Sequence, residues 1–142
     1  MRSARTHLLH ALGMLALAFT LAQGADKPTQ IKRFVATVGP DGVQKVDLVG
    51  GGYYFDPNLV VVKVNVPVEL RVKKDAGFVP HDISIKAPEA GINFTESLAS
   101  EPKTIRFTPT KVGTYDIDCT KKLLWFESHK DKGMHGTLEV VP

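Results

Sequence analysis

From Ile31 onward, short runs of β-branched and aromatic residues alternate with Gly, Pro, Asn and Asp, and segments of helical period are nearly absent. This is the pattern of an all-β sandwich or barrel. It predicts about eight strands, near residues 32–38, 43–49, 59–64, 68–73, 82–86, 103–107, 113–119 and 136–141. In "LVVVKVNV" a nearly continuous apolar run passes into alternation, which suits a strand covered on both faces for part of its length. In "TYDIDC" the period of two places Tyr115, Ile117 and Cys119 on one face and Thr114, Asp116 and Asp118 on the other, so Cys119 is expected to point inward at a strand end. The glycines at 50–52 and the stretch "APEAG" at 87–91 read as turns or surface loops. Residues 120–132 form the longest gap between late strands, a loop or a single helical turn.

The N-terminus follows another rule. Arg2 and Arg5 precede a mostly apolar run over residues 8–21, and the small residues Ala22, Gly24 and Ala25 follow it. That is the layout of a secretory signal peptide over residues 1–24, leaving a single domain over 25–142. The run is short for a bilayer span, which needs roughly 20 apolar residues, so no stable membrane insertion is expected after cleavage. An uncleaved anchor is the alternative, and either form places the domain in the periplasm or outside the cell. The whole chain has a formal charge of +3. Removing the two leader arginines brings it near neutrality, and no basic excess argues for a nucleic-acid partner.

Cleavage also concentrates the chemistry. The one cysteine of the chain is Cys119, and the His and Met residues left after position 24 are His81, His129, His135 and Met134. All except His81 lie in "CTKKLLWFESHKDKGMHG". An unpaired cysteine in an exported protein needs a reason, either burial as a small apolar side chain or a ligand role. His81 sits in "VPHDISI", between a proline and a predicted strand that together fix an imidazole. It reads as a packed histidine when taken alone, and as the missing corner of a ligand set when taken with the others. Met134 could equally fill a gap in the core. His135 is open to three readings: a ligand replacing Met134, a residue supporting the ligands, or a surface side chain. Two imidazoles, a thiolate and a weak thioether together suit copper in both oxidation states and make the ligand set of blue-copper electron-transfer sites.

On these residues the chain resembles the cupredoxins, the family of plastocyanin, azurin and pseudoazurin. The resemblance covers roughly residues 53–141 and is carried by "YYFDPNLVVVKVNVPVELRV", "VPHDI", "FTPTKVGTYDIDC" and "SHKDKGMHGTLEV". It implies a Greek-key sandwich or barrel, one copper ion held by His81, Cys119, His129 and Met134, and cycling between Cu(I) and Cu(II). It also implies exit of the electron at the His129 edge to a redox partner protein such as a cytochrome, oxidase or reductase. One departure stands out. Nine residues separate Cys119 from His129, whereas plastocyanin and azurin have much shorter loops. Leu123, Leu124, Trp125 and Phe126 in that loop either cover the core or form an apolar docking patch, and Lys121, Lys122, Lys130 and Lys132 either form a basic rim or a solvated face. The alternative function is copper sequestration or copper tolerance through the same residues. An enzyme is not expected: Cys119 with His129 as base lacks the open cleft and orienting group of a thiol nucleophile, and too few histidines remain for a second copper.

Overall fold

Alternation is plainest in β2 (Gln44–Gly51), where Gln44, Val46 and Leu48 are buried and Lys45 and Asp47 face solvent. The same period of two builds the other strands of the computed structural model, which describes residues 30–122 and 125–142. The proposed leader lies outside the described residues. In chain order the further strands are β1 (Arg33–Val35), which precedes β2, then β3 (Tyr54–Asp56), β4 (Leu59–Lys63), β5 (Val68–Lys74), β6 (Asp82–Ala87), β7 (Ile92–Ser97), β8 (Lys103–Phe107), β9 (Gly113–Asp118) and β10 (His135–Val141).

They form two sheets, six strands in the order β1-β4-β10-β9-β6-β7 and four in the order β3-β2-β5-β8. The architecture is the expected all-β sandwich. Between the sheets lies one apolar core, with Val46 and Leu48 from β2, Val68, Leu70 and Val72 from β5, Ile83 and Ile85 from β6, Ile117 from β9, and Leu138 and Val140 from β10. β4 runs parallel to both of its neighbours, β1 and β10. It buries Val60, Val61 and Val62 in succession, as the continuous apolar run requires of a strand covered on both faces.

Two strands are additional to the eight expected. β7 is polar at every second position and buries only Ile92, so its sequence "INFTES" carries little apolar signal, yet it pairs with β6 along its whole length. β3 is three residues long and follows β2 through a two-residue hairpin. The glycines read as a turn at 50–52 are therefore divided: Gly50 and Gly51 complete β2, and only Gly52 is in the turn. "APEAG" forms a single 3₁₀ turn over Pro88–Ala90 that ends on Gly91 in the left-handed conformation. The expected first strand at 32–38 is regular only over Arg33–Val35, with a further isolated bridge from Val38 to Gln44.

Gln44 is the buried polar group on which the loop between β4 and β5 depends. Its side-chain Nε2 donates to the carbonyls of Lys63 and Val66 at 3.1 and 3.2 Å, and its Oε1 accepts from the Lys63 N–H at 2.6 Å. The backbone groups of this turn are thereby paired without a strand partner. Replacing Gln44 with Leu keeps the volume and orphans these groups, at a cost of about 1–3 kcal/mol each where no water replaces the lost bond. Equilibrium urea unfolding of Gln44→Leu should show a lower midpoint with an unchanged slope.

Candidate metal centre

Three loops at one end of the sandwich supply the site. His81 immediately precedes β6, and its carbonyl accepts from the Leu98 N–H at 3.0 Å, which pins the backbone entering the strand. Cys119 follows β9 on the face that Ile117 also presents to the core, and both are buried, as the alternation in "TYDIDC" predicts. Its N–H donates to the Met134 carbonyl at 3.2 Å, extending the β9–β10 pairing by one step. His129 opens a tight turn in which Met134 N–H donates to the His129 carbonyl at 2.9 Å and Gly133 N–H to the Lys130 carbonyl at 2.9 Å. Gly133 adopts φ 102°, a conformation that glycine reaches without steric cost. Ser128 and Asp131 brace the turn through a 2.6 Å side-chain bond.

The nine-residue separation of Cys119 and His129 is bridged near its base. His129 N–H donates to the Lys121 carbonyl at 2.9 Å, and Lys122 and Ser128 form an isolated bridge. These two contacts hold the ends of the long loop together beside the ligands, so the backbone there is tied as in a short loop. Trp125 is 84% exposed and Phe126 is also exposed, their rings 5.9 Å apart. These two residues do not cover the core. Leu123 and Leu124, named with them above, lie outside the described residues. The lysines are engaged separately: Lys130 pairs with Asp118 at 2.8 Å, and Lys121 lies 3.7 Å from Asp82.

His81, Cys119 and His129 converge, with their donor atoms all within 4.8 Å of one another. The two Nδ1 atoms are 3.1 Å apart, and Cys119 Sγ is 3.6 Å from His129 Nδ1. All three side chains are buried, His81 at 4% and His129 at 2% exposure. Met134 is fully buried, and its backbone joins both Cys119 and His129. Its methyl end lies toward Gly50, where a Cβ would stand 3.2 Å from Met134 Cε and 2.5 Å from Leu98 Cδ1. His135 is exposed as the first residue of β10, the surface position among its three readings.

Two residues at the site are absent from the sequence reading. Asp82, buried, accepts from Thr120 N–H and Thr120 Oγ1, both at 2.6 Å, while its own N–H points at Cys119 Sγ from 3.5 Å. The sole cue in the sequence is its position next to His81. Tyr53 makes T-shaped contacts with both imidazoles, with centroids 5.9 Å from His81 and 5.0 Å from His129. Nothing in its local pattern distinguishes it from the neighbouring Tyr54.

Without metal the three donors are held neutral. Burial lowers the His81 pKa, and the adjacent His129 and Lys74 lower it further. Burial lowers that of His129 as well, reinforced by Lys132. The Cys119 thiol is raised by burial, against the opposing backbone N–H groups of Asp82 and Lys121. A close cluster of uncharged imidazole nitrogen and thiol sulfur fits a soft or borderline metal ion, which displaces the thiol proton on binding.

No family model matches the chain, and no curated protein does. Solved structures resemble it at low identity. The metal-binding domain of the Cu(I)-exporting P-type ATPase CopA from Streptococcus pneumoniae D39 has a TM-score of 0.60 at 19% identity, over 80% of this chain and 99% of that one. Dithionite-reduced auracyanin from Roseiflexus castenholzii has a TM-score of 0.58 at 19% identity, over 75% and 99%. Auracyanin A, a "blue" copper protein from Chloroflexus aurantiacus, has a TM-score of 0.53 at 19% identity, over 70% and 100%.

The depressed imidazole pKa values fix a sign for the pH dependence of the metal-free fold. In the unfolded chain the histidines take up protons near pH 6.5 or so, whereas the folded site takes them up only at lower pH. Their contribution to stability is therefore complete above that region and is lost as the pH falls through it. The denaturation midpoint should be lower at pH 5.5 than at pH 7.5, and His129→Asn should reduce the difference. The fold is cupredoxin-like, and it carries a buried His81–Cys119–His129 cluster able to hold a metal ion.

Proposed function

We propose that the protein is an exported copper-binding electron carrier with a mononuclear type 1 site, and not an enzyme. The observation that carries this reading is the convergence of two buried imidazole Nδ1 atoms and one buried thiol at the loop end of a cupredoxin-like sandwich. His81, His129 and Cys119 would supply three strong donors to copper and Met134 a weaker fourth, a role supported by its burial and by its backbone bonds to both Cys119 and His129. Copper held by this set supplies one-electron chemistry between Cu(I) and Cu(II). The chain's part is to keep the donors in one geometry. Backbone hydrogen bonds fix Cys119, His129 and the carbonyl of His81 independently of any metal, which keeps the reorganisation on electron transfer small. The Asp82 N–H directed at Cys119 Sγ withdraws charge from the thiolate and tunes the potential.

The leader-like N-terminus supports a periplasmic or secreted location, and a redox protein is the proposed partner. A second reading, copper sequestration or delivery, is favoured by the likeness to the metal-binding domain of a Cu(I)-exporting ATPase. The two differ in what the bound ion does: a carrier is reduced and reoxidised in place, whereas a delivery protein releases Cu(I) to an acceptor.

A visible absorption spectrum after addition of Cu(II), with Cys119→Ala as control, tests the carrier. Intense sulfur-to-copper charge-transfer bands should be present, disappear in the control, and bleach reversibly with a mild reductant. Weak absorption independent of Cys119 would overturn the type 1 assignment. Met134→Leu should retain the bands and raise the midpoint potential, because removal of an axial donor disfavours Cu(II). An unchanged potential would remove Met134 from the ligand set.

A further inference from the structure

The hairpin between β2 and β3 turns on Gly52 and Tyr53, and both residues are left-handed, with φ 53° and 63°. A two-residue hairpin turn of this hand favours Asn or Gly, and glycine above all at the second position. A bulky aromatic there is an outlier, held by its surroundings at a backbone cost. The surroundings are the site. Tyr53 stands nearly perpendicular to the rings of His81 and His129, at interplanar angles of 89° and 81°, and Lys132 Nζ lies 4.8 Å from the centre of its ring. Lys132 comes from the same turn as His129, so the cation–π contact ties the hairpin to the ligand loop. Tyr53 is partly exposed while both imidazoles are buried. Beside it a cavity of about 130 Å³, bordered by Tyr53, Val79 and Lys74, ends against His81, of which only 4% is exposed.

We infer that Tyr53 is a positioning residue that closes the site: its ring, clamped by Lys132, fixes the planes of the two imidazoles and bars solvent and small ligands from reaching them. The inference rests on the reading that these imidazoles hold a metal, and it concerns their access and orientation.

The test uses the metal-free protein and diethyl pyrocarbonate, which acylates accessible neutral imidazoles, with modified histidines quantified by peptide mass spectrometry. Exposed His135 is the internal standard. In the unaltered protein His81 and His129 should react roughly tenfold or more slowly than His135, as sites reached only through local opening do. Tyr53→Gly removes the ring and suits the left-handed backbone, and in it both histidines should approach the rate of His135. Tyr53→Asn, which also tolerates that conformation, serves if the glycine variant fails to fold, as judged by its thermal transition. Tyr53→Phe retains the ring and should retain protection. Equal reactivity in the unaltered protein, protection that persists in a folded Gly or Asn variant, or loss of protection in the Phe variant would each overturn the inference. Since no copper is present, these outcomes are separable from the electron-carrier reading, which fails on the Cys119-dependent spectrum alone.

Discussion

The buried carboxylate of Asp82 holds together the part of the six-stranded sheet that matters most. β6 and β9, the strands that deliver His81 and Cys119, are joined in the ladder by a single residue pair, Ser84 with Asp118. Beyond that pair the two strands have no regular reason to stay in step. Asp82 supplies one, because its two oxygens take the N–H and the hydroxyl of Thr120, the residue after Cys119. Charge-assisted bonds of this kind are stronger than neutral ones, and they set the distance between the thiol and the first imidazole.

His129 arrives by a separate route. Its turn is attached to the Met134 backbone on one side and to Lys121 on the other, and the Lys121 side chain returns to Asp82. The three donors therefore belong to one connected set of hydrogen bonds with few free torsions. Two neutral imidazoles 3.1 Å apart satisfy each other when one Nδ1–H donates to the other Nδ1, so the metal-free cluster carries no charge that burial would penalise.

Much of this was legible in the chain, and what was not follows a physical division. Alternation exposes a strand when one face is apolar, which is why "TYDIDC" announced both β9 and the inward aim of Cys119, and why β7, with one buried residue in six, stayed silent. Donor chemistry is written in residue types, so His81, Cys119 and His129 could be collected before any fold was known. Asp82 and Tyr53 act through partners brought close only by tertiary structure, and neither a carboxylate beside a histidine nor the first of two tyrosines after three glycines reveals such a partner. The wide spacing between Cys119 and His129 misleads for a related reason. Counting residues measures contour length, and the bridge between Lys122 and Ser128 makes contour length irrelevant.

That bridge divides the stretch between Cys119 and His129 into a base and an outer segment. The backbone below it holds the thiol and the imidazole, and the segment above it displays Trp125 and Phe126 to solvent. The base of the loop thus serves the candidate metal cluster, while Trp125 and Phe126 beyond the bridge stand in solvent with no part in it.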